Sequence, residues 1–345
     1  MDASRPSPNP SPAAAEGAAT LNAQPSTLNH PDSQFVQANG IRIAVDRQTP
    51  AGDARGRVLL LMGLGGQLID WPAALVRALL DEGLEVIRLD NRDAGLSAHL
   101  SHLGRPRMGW VAATAWLGLR PRLPYTLADM AQDALGALDA LGARRVHVVG
   151  LSMGAMIAQR VALAAPERVI SLTCIMGSSG ARGLLRPRAE ALRVAASQPA
   201  GNDPQALRRY TLRFLRAISS PTLPPAKDAL LASIEQAARR SPPDMAATQR
   251  QGAAVLADSA RARELGRIRM PALVIHGRAD PWVPLACGAD TARRIPGARL
   301  AVIEDMGHDL APAPHPEILR RALAELLPFL REANTAEMTT GATAP

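Results

Sequence analysis

The sequence predicts an α/β fold: a mostly parallel sheet flanked by helices, with a helical cap inserted into it. Three observations carry this. Short continuous apolar runs of strand length alternate with helical patterns, which implies right-handed crossovers and a parallel sheet. One such run, Val146-His147-Val148-Val149, meets Gly150-Leu151-Ser152-Met153-Gly154 and opens directly into an Ala/Met/Ile-rich helical pattern. From Gly177 to about Arg267 the strand signals stop, and Ala, Leu and Arg dominate between prolines. That reads as several short helices without a sheet.

Composition bounds the rest. With 345 residues, 47% of them hydrophobic, the chain can bury a sizeable core, as one domain with an insertion or as two domains. A net charge of +8 raises the question of an anionic partner. The basic residues are nearly all arginine, are scattered, and are not interleaved with aromatics, of which there are four Trp, two Tyr and three Phe. No nucleic-acid partner is expected. No run of 18 apolar residues exists, so stable membrane insertion is not expected either. Cys174 and Cys287 make no disulfide framework and fit a reduced compartment. The N-terminus lacks a charged leader followed by an apolar core, and a soluble, cytoplasmic protein is expected. Nothing in the sequence indicates the oligomeric state.

In chain order, residues 1–33 are rich in Pro, Ala, Ser and Asn without periodicity and are expected to be a flexible tail. Phe35-Val36-Gln37 and Ile41 to Val45 alternate around Asn39-Gly40, a hairpin signal because both turn positions tolerate positive φ. Arg57 to Met62 is a strand, followed by the turn Gly63-Leu64-Gly65-Gly66, a helix from Trp71-Pro72 to about Glu82, and a strand over Glu85 to Leu89. The polar turn Asp90-Asn91-Arg92-Asp93-Ala94-Gly95-Leu96-Ser97 then falls at the sheet edge where such folds place ligands. Residues 98–124 are an insertion centred on Gly109 to Leu117; Trp110 and Trp116 there suit a membrane-touching lid, part of a substrate pocket, or a helix packed on the rest of the protein. Thr126-Leu127-Ala128-Asp129 is a capping box that starts the helix leading to the central strand. Val169 to Ile175 is another buried strand, and the sheet resumes at Ala272 to His276 and Arg299 to Ile303. A last helix runs from about Pro316 to Glu332, with Pro328 expected to end or kink it, and residues 334–345 read as a patternless tail. The resulting division is a core of residues 34–176 and 268–333 with a cap of residues 177–267.

The chemistry is concentrated at strand ends. In Gly150-Leu151-Ser152-Met153-Gly154 the glycines let backbone pass close to backbone, so the serine is pushed out above the sheet at a helix N-terminus that favours developing negative charge. A serine hydroxyl is a poor nucleophile and needs a base, and the base needs an orienting acid. Asp280 follows the strand ending at His276, and His308 follows the strand ending at Ile303. Asp305 and Asp309 compete with Asp280 for the acid role but are too near His308 in sequence to orient it. His147 and His276 lie within apolar strands and are expected to be packed there. The backbone amides of Leu64 and Met153 are candidates for stabilising an oxyanion. Gly63, Trp110, Trp116 and Trp282 are candidates for the substrate pocket. The glycine-rich turn has neither Gly-Lys-Ser/Thr nor Gly-x-Gly-x-x-Gly, which argues against a nucleotide site; no metal and no cofactor is expected.

With these motifs in place the chain resembles the α/β-hydrolase superfamily over residues 34–333, on Met62-Gly63-Leu64-Gly65-Gly66, the Asp90 to Ser97 turn, the Ser152 elbow, His276-Gly277-Arg278-Ala279-Asp280 and Gly307-His308. Within it the chain is similar to the bacterial group that includes the aclacinomycin methylesterases. It departs from most of the superfamily in having Met62 where His is usual and Asp93 where Gly is frequent. The resemblance implies Ser152 as nucleophile, Asp280 as acid, His308 as base, and Leu64 and Met153 as oxyanion donors. The expected function is a cofactor-free serine hydrolase acting on a small-molecule carboxylic ester through an acyl-enzyme, with a rate that falls below about pH 6.5 if a histidine is the base. Hydrolysis of an amide, lactone, thioester or C–C bond is the enzymatic alternative, and a non-catalytic ligand-binding role is the other.

Overall fold

Asn39 and Gly40 adopt φ of 50° and 77° and turn the chain between β1 (Gln34–Ala38) and β2 (Ile41–Gln48), which pair antiparallel. This is the positive-φ hairpin that the Asn-Gly dipeptide favours. A computed structural model describes residues 34–119, 121–199 and 203–341. The tail expected over residues 1–33 lies outside the described residues.

Six further strands complete the sheet: β3 (Gly56–Leu61), β4 (Leu84–Leu89), β5 (Val146–Leu151), β6 (Val169–Ile175), β7 (Ala272–Gly277) and β8 (Arg299–Ile303). Their order is β1-β2-β4-β3-β5-β6-β7-β8. Pairing is antiparallel from β1 to β4 and parallel from β4 through β8. The chain leaves β3 toward β4 on one side and β5 toward β6 on the other, so the C-terminal ends of β3 and β5 bound a crevice of the kind where open α/β sheets hold ligands.

Alternate residues of each central strand feed different cores. Leu59, Leu61, Val146 and Val148 pack with α3 (Leu127–Ala140) and α4 (Met153–Ala164). Val58, Leu60 and Val149 pack on the other face with α1 (Ala73–Asp81) and α11 (Pro316–Gly341). Between α1 and α3 lies α2 (Met108–Leu117), and α10 (Leu285–Arg294) follows β7. The α3 capping box forms as expected: Thr126 Oγ1 accepts from the Asp129 N–H at 3.2 Å and the Thr126 N–H donates to Asp129 Oδ2 at 2.7 Å.

Residues 177–267 carry α5 (Ala189–Ala196), α6 (Pro204–Ile218), α7 (Lys227–Arg240), α8 (Met245–Ala257) and α9 (Arg261–Glu264), with no strand among the described residues.

The C-terminal reading needs correction. Pro328 neither ends the last helix nor stops it at Ala333: α11 continues to Gly341, so residues 334–341 are helical and only 342–345 lie outside the described residues. A helix-interior proline costs about 3 kcal/mol. Burial of Leu326, Phe329 and Leu330 against the sheet offsets it, and Asn334 ties the next turn down by donating to the Arg55 carbonyl at 3.0 Å.

Candidate active site

Ser152 is the single residue between β5 and α4, and its backbone lies at φ 55°, ψ −117°. That region costs a non-glycine residue about 1–3 kcal/mol. The turn is possible because its neighbours have no side chains. A Cβ at Gly150 would overlap the backbone of Gly154, and one at Gly154 would overlap the Leu61 carbonyl. The Ser152 N–H donates to the Ile175 carbonyl at 2.8 Å, which anchors the turn to β6.

The loops after β7 and β8 bring two side chains to this hydroxyl. His308 Nε2 lies 2.9 Å from Ser152 Oγ, and His308 Nδ1 lies 2.7 Å from Asp280 Oδ2. A neutral imidazole with its proton on Nδ1 donates to the carboxylate and accepts from the hydroxyl. Asp280 is buried, and its other oxygen accepts from the Trp282 and Val283 N–H groups at 2.9 and 2.8 Å, so its orientation is set by its own loop. The competing carboxylates are engaged elsewhere. Asp309 accepts from Ser220 N–H at 2.7 Å and Gly307 N–H at 3.1 Å, and burial pushes its carboxyl up to about 6 despite those donors. Asp305 accepts from the Thr222 hydroxyl at 3.0 Å. His147 and His276 are both fully buried, as expected; His276 Nε2 lies 2.8 Å from the Val283 carbonyl, and burial pushes its pKa down.

The turn that carries Leu64 lies beside the elbow that carries Met153. Gly63 lies against Ser152, with 3.3 Å between Ser152 Cβ and the point a Gly63 Cβ would occupy, so the turn after β3 abuts the elbow. Among the described residues neither the Leu64 nor the Met153 N–H has a hydrogen-bond acceptor.

The pocket candidates separate. Trp282 packs edge-on against Phe214 of α6, with centroids 5.1 Å apart, and joins the Asp280 loop to the helices above it. Trp110 and Trp116 are 66% and 80% exposed on α2 and do not line the cleft beside His308, against the pocket expectation; of the three readings of this segment the structure forms the packed helix, which buries Val111 and Thr114 and turns its tryptophans outward. The cleft beside His308 is lined instead by Leu215, Ser219, Pro225, Leu230 and Ala311.

Sequence reasoning missed the residues that hold the site together. The Asp90 to Asp93 turn, read as ligand-facing, is buried and cross-linked: Asp93 is paired bidentately by Arg250 of α8 at 2.8 Å and accepts from the Tyr125 hydroxyl at 2.8 Å. Burial raises the Asp93 pKa, but these donors outweigh it and hold the carboxyl below its ordinary range. Asp90 pairs with Arg240 of α7 at 2.8 Å. Gln251, fully buried on α8, accepts from the Gly65 N–H and donates to the Arg92 carbonyl, both at 2.8 Å. No local pattern marks Arg250 and Gln251, because their partners Asp93, Gly65 and Arg92 lie more than 150 positions away.

Residues 56–311 match the family model described as alpha/beta hydrolase fold. The chain belongs to the alpha/beta hydrolase fold family. It is 32% identical over 289 residues to rhodomycin D methylesterase DauP of Streptomyces sp. (strain C5), across 76% of this chain and 89% of that protein. Among solved structures it is similar to a hydrolase from Pseudomonas aeruginosa PA01, with a TM-score of 0.64, 26% identity, and 87% of this chain and 98% of that one covered. It is also similar to the enol-lactonase from Burkholderia xenovorans LB400, with a TM-score of 0.62, 22% identity, and 88% and 100% of the two chains covered; at that identity the likeness concerns the fold. This alpha/beta hydrolase is thus an enzyme of a hydrolytic family. No helix among the described residues is long and apolar enough to cross a membrane.

Proposed function

We propose that this hydrolase cleaves a carboxylic ester through an acyl-enzyme formed on Ser152. The observation that carries the reading is the hydrogen-bonded line from Ser152 Oγ through His308 to Asp280, at 2.9 and 2.7 Å, built from three separate loops. Ser152 Oγ attacks the ester carbonyl as its proton passes to His308 Nε2, and Asp280 stabilises the imidazolium. The Leu64 and Met153 amides bind the oxyanion. Collapse of the tetrahedral intermediate breaks the carbonyl carbon–alkoxide bond, and the leaving alcohol takes the proton from His308. Water then attacks the acyl-enzyme with His308 again as base, releasing the acid and restoring Ser152.

Residues 177–267 act as the cap in this reading. The likeness to a protein named as a methylesterase supports the same bond class.

Turnover of a p-nitrophenyl ester series by the wild type and Ser152→Ala tests this. Turnover of at least one ester is expected in the wild type, with a loss of about 10⁴-fold or more in the variant. Labelling of Ser152 by a fluorophosphonate without turnover of any ester would move the substrate to another bond or a larger ester. Absence of labelling would leave the non-catalytic, ligand-binding alternative.

A further inference from the structure

The solvent side of α2 carries no polar side chain. Its exposed positions are Gly109, Trp110, Ala112, Ala113, Trp116 and Leu117. The helix's one hydroxyl, on Thr114, is buried and donates to the Trp110 carbonyl at 2.8 Å. An amphipathic surface helix turns its apolar stripe inward; here the inward side holds the hydroxyl and the outward side holds two tryptophans. Leu117 and Leu119 extend the patch at 60% and 58% exposure. Exposed apolar area of this kind marks an interaction surface.

The charges around it identify the partner. Arg105 and Arg107 precede the helix and Arg122 follows it, all three exposed and without an ion pair among the described residues. The sequence has no Asp or Glu between Asp93 and Asp129. A second copy seated two-fold on this face would oppose the same arginines to one another. A bilayer interface with anionic headgroups matches both features, since tryptophan prefers the headgroup level and arginine pairs with phosphate.

We infer that α2 docks this protein on an anionic lipid surface, with Trp110, Trp116 and Leu117 entering the interface and Arg105, Arg107 and Arg122 meeting the headgroups. Docking is peripheral and spans nothing. Met108, at the start of α2, and Leu64, beside the elbow, both pack against Gly252 of α8, so the docked face adjoins the candidate active site. The inference concerns binding and stands apart from the ester reading.

Co-sedimentation of the full chain with phosphatidylcholine vesicles, with and without phosphatidylglycerol, tests it. The expected result is partitioning onto the anionic vesicles with a blue shift in tryptophan emission, weakened by salt. Partitioning should fall about tenfold or more in Trp116→Ser/Leu117→Ser and in Arg105→Glu/Arg107→Glu. All four positions are exposed, and unchanged melting of the variants would confirm that they fold. No partitioning, equal partitioning onto the uncharged vesicles, or equal partitioning of the variants would each overturn the inference. A wild-type dimer in solution that Trp116→Ser/Leu117→Ser dissociates would assign the face to a second copy and overturn it as well.

Discussion

Three carboxylates surround His308 in the chain or in space, and hydrogen-bond supply sorts them. Asp280 spends one oxygen on two amides of its own loop and offers the other to His308 Nδ1. Asp309 spends both oxygens on backbone, one on Gly307 and one on Ser220 at the end of the α6 segment, so it fastens the histidine loop to the helices above the site. The two roles predict different phenotypes. Asp280→Asn should lower kcat about 10⁴-fold with the fold intact, because an amide oriented by the same loop no longer holds the productive tautomer. Asp309→Asn can accept at only one of its two atoms, so it should cost about 1–3 kcal/mol of stability while keeping most of kcat. Ester turnover and urea unfolding of the two variants separate these outcomes; equal loss of kcat in both would remove the assignment of Asp280 as the orienting acid.

At the scale of elements, α8 braces the candidate site without belonging to the Ser152–His308–Asp280 line. Gln251 bridges the Gly65 amide and the Arg92 carbonyl, so the turn that carries Leu64, an oxyanion donor in the proposed reaction, is held from above. Gln251→Ala leaves both backbone groups without that partner, and it should lower kcat about ten- to hundredfold with KM little changed, the split expected when a preset donor loosens. A rise in KM alone would make Gln251 a part of the binding surface instead. The same element shows where sequence reading ends. Seven of the eight strands were legible within a residue or two and β2 up to Val45, three residues short of its end at Gln48, because apolar runs bounded by turn residues are a local signal, and Ser152, Asp280 and His308 stood out because each follows such a run. Gln251 and Arg250 were not, since a buried polar residue on a helix has the same local signature as an exposed one. Trp110 and Trp116 were read into a helix correctly, but helical periodicity cannot orient a segment that is apolar all round. That Pro328 does not end the helix was not legible for a related reason: its local penalty is legible, while the burial of Phe329 and Leu330 that offsets it is a property of the assembled sheet.

Across the whole molecule, buried titratable groups set opposing responses to pH. Burial pushes the His147 imidazole down to about 4 despite the nearby Asn334. The unfolded chain takes up that proton near 6.5, so the stabilisation is present above 6.5 and is lost as pH falls through 4. Asp70 and Asp309 run the other way, because burial pushes both up to about 6. The unfolded chain releases these protons near 3.8, so their contribution is present below 3.8 and is lost as pH rises through 6. Each group contributes about 3 kcal/mol at about 1.4 kcal/mol per tenfold change in proton affinity. Single variants should expose the two signs. The stability of wild type relative to His147→Asn should shrink by roughly that amount between pH 7 and 4, whereas its stability relative to Asp309→Asn should grow over the same interval. Urea unfolding at several pH values measures both differences. Parallel slopes for the two variants would mean that one of these side chains titrates in the folded protein as it does in water, and the burial assigned to it in the sheet or the histidine loop would have to be given up.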